Sequence, residues 1–281
     1  MEYTKKKPLR LFEICAGYGS QALALRRLQE IYPDFGYELV GWAEYDPETP
    51  NVPIDRQPAV IAHNALHPEC IGKNWGDITK IMWDDLPDFD MLTYSTPCQS
   101  ISQAGLQHGF EEGSGTRSSI IWNVRDCVNV KRPKFLMLEN VKAMVSGKYV
   151  GLFNLWQREL EKLGYKNFAQ VLNAKDFGVP QNRERIFLIS IRDDSRCGTA
   201  TTYQTEPRYF FPKAKPLDVC LIDVLERDVD EKYFLSDDML ARFCEKSMEE
   251  EGENDLSART RSDGCAYFDD EDDFEDYFVA K

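Results

Sequence analysis

Histidine, paired cysteines, long apolar runs and basic charge are all scarce in this sequence, and each shortage removes a class of function. The 281 residues include 3 histidines and 8 cysteines, and no two of the cysteines form a Cys-x-x-Cys pair. The ligand spacing of a zinc ribbon is therefore missing. His63, His67 and Cys70 stand near one another, but no second ligand cluster accompanies them, and no metal site is expected. No apolar run approaches the ~20 residues of a membrane span, so no membrane partner is expected. The opening stretch Met-Glu-Tyr-Thr-Lys-Lys-Lys-Pro has no apolar segment behind its lysines. An intracellular location and reduced thiols follow as expectations.

Basic charge is short as well. Lysine and arginine number 34 against 48 acidic residues, a formal net charge of -14. The deficit is uneven, because residues 249–281 hold 13 acidic and 3 basic side chains, a net of -10. Only -4 of the total is left for the first 248 residues, so the bulk of the chain is near neutral and the acidity belongs to a tail. Global charge gives no support to a polyanion-binding face and does not exclude one.

What is present is an alternation of strands and helices. Pro8–Cys15 reads as a buried strand running into Ala16-Gly17-Tyr18-Gly19-Ser20, and Gln21–Ile31 repeats its apolar residues at helical spacing. Strand, glycine turn and helix open a doubly wound α/β unit, in which glycines let a ligand approach the backbone closely. Tyr37–Ala43 is the second strand and ends in Glu44-Tyr45-Asp46, where such folds hold ribose hydroxyls with a carboxylate. Gly76-Asp77-Ile78 follows, then the apolar run 90–94 into Ser95-Thr96-Pro97-Cys98-Gln99-Ser100, a cysteine past a strand end. Residues 99–118 form a glycine-rich loop with the makings of a lid. A helix over 120–130, a strand over 133–138 ending in Glu139-Asn140-Val141, and a helix over 152–163 come next. Two strands, 168–174 and 185–191, are joined through Phe177-Gly-Val-Pro-Gln181. Gly17, Glu44, Asp77, Cys98 and Glu139 each fall just after an expected strand, and open sheets bind ligands at that edge. Singly, each also has an ordinary structural role: a tight turn, a solvated acid, a packed thiol, a strand-end cap.

Taken together and in order, these blocks resemble the cytosine carbon-5 DNA methyltransferases, over about two thirds of the chain from Leu9 to Ile191. The resemblance rests on Ala16-Gly17-Tyr18-Gly19, Glu44-Tyr45-Asp46, Gly76-Asp77-Ile78, Pro97-Cys98-Gln99, Gly115-Thr116-Arg117, Glu139-Asn140-Val141 and Gly178-Val-Pro-Gln181-Asn-Arg183-Glu-Arg185. It implies a Rossmann-like class I methyltransferase fold: a mostly parallel sheet with helices on both faces, one antiparallel strand and a short C-terminal extension. It implies S-adenosyl-L-methionine (AdoMet) as cofactor and double-stranded DNA as partner, with the chain cytoplasmic or nucleoid-associated in a prokaryote or phage. By resemblance Cys98 is the thiolate that adds to carbon 6 of a flipped-out cytosine. Glu139, protonated, bonds the ring edge, and Arg183 and Arg185 orient the base and its phosphate. Gln99, Ser102 and Arg117 contact the flipped nucleotide or its backbone. For the cofactor, Gly17 and Gly19 pass close to the methionine part, Glu44 takes the ribose, Tyr45 stacks on adenine and Asp77 bonds its amino group, with Tyr18, Ile78 and Pro97 also among the cofactor-binding residues.

The expected division is a catalytic domain over 1–192, a reduced target-recognition region over 193–248 and an acidic tail over 249–281. The chain departs from the family at Cys15, where an aromatic is usual, and at Ser95-Thr96. A late arginine block and a C-terminal Gly-Asn-Ser block are not found after residue 192. Three readings stay open: one part of a split enzyme with a second subunit, a compact enzyme, or a binding subunit that has lost activity. An RNA cytosine is the alternative substrate.

Overall fold

The computed structural model describes residues 2–97, 112–113, 117–194, 207–226, 228–236 and 238–240. The chain divides into two compact units, Met1–Leu172 with Glu184–Lys213, and Asn173–Arg183 with Ala214–Lys281.

The first unit is built on an α/β alternation. In chain order it runs β1 (Leu9–Ile14), α1 (Ser20–Ile31), β2 (Tyr37–Ala43), α2 (Pro58–Leu66), β3 (Met91–Tyr94), α3 (Ile121–Lys131), β4 (Phe135–Val141), α4 (Val150–Lys162), β5 (Tyr165–Asn173) and β6 (Glu184–Arg192). The strands order as β2-β1-β3-β4-β6-β5. β1 pairs parallel with β2 and β3, and β3 parallel with β4, whereas β6 runs antiparallel to β4 with Val141 opposite Arg185. The hairpin from β5 to β6 is closed by Ala174 N–H on the Arg183 carbonyl at 3.0 Å and Asp193 N–H on Gly164 at 2.8 Å.

Side-chain alternation along β1 divides the core between the two faces of the sheet. Leu11 packs with Ala22 of α1, Val60 of α2, Leu39, Trp42 and Cys70. Phe12 and Ile14 join the larger cluster that includes Ile121 and Val124 of α3 and Phe153, Trp156 and Leu160 of α4. Period-two strands between period-3.6 helices give both layers an apolar seam, which is why the helices settle on both faces. Trp156 is fully buried, edge-on to Tyr94 and Trp122, and its indole N–H donates to the Tyr94 hydroxyl at 3.2 Å. Among the described residues no helix is long and apolar enough to cross a membrane.

In the second unit the 3₁₀ turn Ala174–Phe177 is capped by the Asn173 side chain, which accepts from Lys175 N–H, and the Asp176 carbonyl accepts from Lys215 N–H at 2.8 Å. The four-residue helix α5 (Leu221–Val224) follows. Cys220 is disulfide-bonded, unlike the reduced thiols expected throughout, while Cys15, Cys70 and Cys127 are in the reduced form.

Two expected placements differ in detail. Asp77 follows no strand; it caps the 3₁₀ turn Ile78–Lys80, and an isolated bridge from Asn74 to Trp42 takes the place of the expected strand. Glu139 lies inside β4, because pairing with β6 prolongs that strand to Val141.

Candidate active site

The turn after β1 is sharply folded. Cys15, Gly17 and Gly19 have φ of 53°, 54° and 79°, three left-handed residues within five. A Cβ on Gly17 would project into open space, so glycine is needed there for conformation alone. At Gly19 a Cβ would lie 2.5 Å from His67 Nε2, so there glycine is also needed for space. Glu44, directly after β2, sends its carboxylate across to accept the Gly17 N–H at 2.7 Å. A charged acceptor on a backbone N–H is a strong bond of its kind, and it ties the turn to the neighbouring strand end.

Asn74 fastens the next segment to the same place. Its side chain accepts the N–H groups of Glu44 and Gly76, each at 3.0 Å, and donates to the Glu44 carbonyl at 3.1 Å. Asp77 lies just beyond. It accepts from the Thr79 N–H and hydroxyl at 3.0 and 2.7 Å and pairs with Lys80 at 3.1 Å. Burial works against the ionised form of Asp77, but the Thr79 hydrogen bonds and Lys80 outweigh it and hold the carboxyl below its ordinary range. Lys80 also sits 5.5 Å from the centre of the Tyr45 ring, so Asp77 and Tyr45 are drawn to one cation. Ile78 is buried, Pro97 half-buried, and Tyr18 is 54% exposed.

Past β3 the Ser95 N–H bonds the Ile14 carbonyl at 3.3 Å, and Gln21 of α1 donates to the Ser95 hydroxyl at 3.1 Å. The buried Asn140 side chain donates to the Thr96 carbonyl at 2.9 Å and accepts from Val141 N–H at 2.9 Å. The end of β4 thus grips the backbone two residues before Cys98. Next to Asn140, Glu139 pairs with Arg185, Nε to Oε1, at 3.4 Å, with the side chains 23% and 14% exposed. Antiparallel pairing brings this about, since β6 starts where β4 ends.

Gly17 with Glu44, Tyr45 with Asp77, and Glu139 with Arg185 are therefore brought together within the first unit. Arg183 belongs to the second unit, where its N–H donates to Asn173 Oδ1 at 3.0 Å. Cys98, Gln99 and Ser102 lie outside the described residues, as does the side chain of Arg117, which opens the 3₁₀ turn Arg117–Ile120. Sequence reasoning missed Gln21, Asn74, Lys80 and the grip of Asn140. Of these only Asn140 carried a signal, as a member of the Glu139-Asn140-Val141 block. Among the described residues no group of three or more His, Cys, Asp or Glu side chains is placed to hold a metal ion.

Known proteins resemble this chain in sequence and in fold. The type II methyltransferase M2.ScrFI of Lactococcus lactis subsp. cremoris is 35% identical over 274 residues, covering 83% of this chain and 72% of that protein. The orphan methyltransferase M.SPRI of Bacillus phage SPR is 33% identical over 249 residues, covering 82% of this chain and 53% of its own length. The chain thus spans about half the length of that phage relative. The fold is similar to that of DNMT2 from Spodoptera frugiperda, with a TM-score of 0.60 at 18% identity over 85% of this chain and 65% of that one. Dnmt2 of S. pombe gives 0.55 at 18% identity, over 84% and 66%. A family model for C-5 cytosine-specific DNA methylase matches residues 9–270. With the glycine turn, Glu44 at the end of β2 and the Glu139–Arg185 pair in the matched span, the chain belongs to the C-5 cytosine-specific DNA methylase family.

Proposed function

We propose that this chain transfers a methyl group from AdoMet to carbon 5 of cytosine in DNA, through a covalent adduct between Cys98 and a base swung out of the duplex. The observation that carries the reading is the Glu139–Arg185 pair, 3.4 Å apart, beside the Asn140 side chain that holds the backbone leading to Cys98.

Residues around the turn fit the cofactor. Gly17 leaves open space where a Cβ would stand, Glu44 presents a carboxylate at the strand end, and Tyr45 and Asp77 share Lys80. Gly17, Tyr18 and Gly19 would hold the methionine part, Glu44 the ribose, and Tyr45, Asp77, Ile78 and Pro97 the adenine end. When bound, AdoMet supplies an electrophilic methyl.

The chain's own groups do the rest. The Cys98 thiolate adds to carbon 6, forming a carbon–sulfur bond and moving the ring's electron pair to carbon 5. Glu139, held by Arg185, hydrogen-bonds ring nitrogen 3, where charge develops. Arg183 and Arg185 orient base and phosphate, and Gln99, Ser102 and Arg117 hold the flipped nucleotide. Methyl transfer to carbon 5 would break the methyl–sulfur bond of AdoMet and leave S-adenosylhomocysteine; the proton on carbon 5 then passes to a base, and the electron pair of that carbon–hydrogen bond expels the Cys98 thiolate.

A duplex carrying 5-fluorocytosine tests this, because fluorine at carbon 5 blocks the elimination and traps the adduct. With AdoMet present the expected result is a protein–DNA adduct that is absent in Cys98→Ser. No adduct on DNA, with an adduct on the matching RNA, would overturn the DNA assignment. Repeating the reaction with candidate partner chains tests whether target recognition is supplied in trans.

A further inference from the structure

Beneath the glycine turn lies a line of buried titratable groups that the proposed reaction does not use. Glu13 of β1 is 1% exposed, and His63 and His67, at α2 and its C-terminal cap, are fully buried. His63 stacks on Trp42 with ring centres 3.6 Å apart, and its ring lies 4.8 Å from that of His67. His67 Nε2 is 3.0 Å from the Gly19 carbonyl oxygen, and its Nδ1 is 2.9 Å from Arg26 Nη2.

These partners determine the tautomer. A carbonyl only accepts, so Nε2 carries the proton, and a guanidinium only donates, so Nδ1 is bare. His67 is therefore neutral, with both nitrogens satisfied.

Glu13 does a related job one turn later. Helix α1 has Gly19 as its N-cap and no side-chain cap. Instead the buried Glu13 Oε1 accepts the Ala22 N–H at 3.1 Å, the bond that a capping side chain would normally supply. Its other oxygen, Oε2, is 3.8 Å from His63 Nε2, and neither atom has a hydrogen-bond partner among the described residues.

We propose that His67 is a positioning residue for the cofactor: its neutral ring holds the Gly19 carbonyl and so sets the shape of the Gly17–Gly19 turn, with Glu13 and His63 packed beneath as support. The inference rests on the reading above that this turn carries AdoMet.

Proton binding by His67 would undo the arrangement. An Nδ1–H would face the Arg26 guanidinium, setting donor against donor and charge against charge. The groups facing His67 are Arg26 from α1, His63 from α2, Glu13 from β1 and Glu69 from the turn Pro68–Cys70, whose carboxylate is 3.8 Å from Nδ1. Arg26 is itself bonded to Tyr37 of β2 and to Glu69. Burial, then His63 and Arg26, hold His67 below its ordinary value, against the Gly19 bond and Glu13.

The test is AdoMet binding by calorimetry at about pH 7.5 and about pH 5.5, on the full chain, in wild type, His67→Gln and His67→Phe. A glutamine amide offers N–H to Gly19 and oxygen to Arg26, and does not titrate. His67→Phe is expected to weaken binding about tenfold, the effect of one lost hydrogen bond of ordinary worth, and His67→Gln to stay within about threefold of wild type at the higher pH. Any loss of affinity as pH falls below the ordinary histidine range should be larger in wild type than in His67→Gln. Wild-type affinity in a folded His67→Phe, or an equal pH-dependent loss in His67→Gln, overturns the inference. Should His67→Phe fail to fold, the comparison of wild type with His67→Gln still decides. If wild type binds no AdoMet at either pH, the cofactor reading fails and takes this inference with it, an outcome distinct from binding that ignores His67.

Discussion

The Glu44 carboxylate accepts the Gly17 N–H at 2.7 Å across 27 positions of sequence. The acid proposed for the ribose is thus also what fastens the glycine turn, and the two jobs separate by mutation. Glu44→Ala removes both: AdoMet affinity should fall about tenfold or more, and stability by about 1–2 kcal/mol, the worth of a charge-assisted bond partly replaced by water. Glu44→Gln keeps an acceptor for Gly17, so its urea midpoint should stay near wild type while AdoMet binding weakens. A midpoint that drops equally in both variants would show that the charge, not the bond, holds the turn.

Asn140 is buried and uses both ends of its amide. Asn140→Ala leaves the Val141 N–H and the Thr96 carbonyl without their partner. A cost of about 1–3 kcal/mol in chemical denaturation is expected. Adduct formation on 5-fluorocytosine should be lost even under conditions where the variant is fully folded. Normal adduct yield in a folded Asn140→Ala would show that the grip on Thr96 does not position Cys98.

Trp156 is central to the larger core, with no exposed surface and edge-on contacts to Tyr94 and Trp122. Trp156→Ala should cost about 3–5 kcal/mol, the range for emptying a large aromatic site. Tyr94→Phe keeps the ring but strands the indole N–H, for about 1–2 kcal/mol. Both are read as shifts of denaturant midpoint at constant slope, with AdoMet affinity unchanged in the folded fraction.

Burial pushes the Cys70 thiol up to about 11 and the Cys127 thiol up to about 12. Neither offers appreciable thiolate near neutral pH. Both should resist iodoacetamide in the native chain and react once it is unfolded, as peptide mapping would show. Rapid native labelling of Cys127 would mean that the α3–β4 layer opens far more readily than its packing implies.

Stability should also depend on pH through His67. Its folded value lies below the ordinary ~6.5, so in the window beneath that value the unfolded chain binds more protons than the folded one. The stabilising contribution is present above about pH 6.5 and is lost as pH falls through the folded value. The urea midpoint of wild type should therefore fall more than that of His67→Gln between about pH 7.5 and about pH 5.5. Parallel curves would refute this.

The parts of this molecule that could be read in advance are the local ones. Strand, glycine turn and helix around Gly17 form a grammar of neighbours, as does an acid at the close of β2, and both stand where expected. The short connection Phe177–Gln181 likewise pointed to two strands close in sequence, and β5 and β6 are neighbours in the sheet. What escaped depends on contacts across the chain. Asn74 carries no mark of the clamp it makes on Glu44, and Gln21 none of its bond to Ser95, because both bonds exist only once the sheet is assembled. His63 and His67 resembled a stray pair of ligands. Their burial follows from Trp42 and Arg26, which lie 21 and 41 positions away from them. Asp77 was expected just after a strand, whereas only a single bridge from Asn74 to Trp42 stands before it.

The antiparallel course of β6 has a consequence for how the chain is made. β1, β2 and β3 can pair as soon as residue 94 is available, and the glycine turn forms with them. Glu139 must wait for Arg185, because Val141 and Phe135 are matched to Arg185 and Ile191. A nascent chain leaving the ribosome thus completes the glycine turn and the end of β2 well before the Glu139–Arg185 pair, and a ribosome stalled between residues 141 and 185 would present the first without the second.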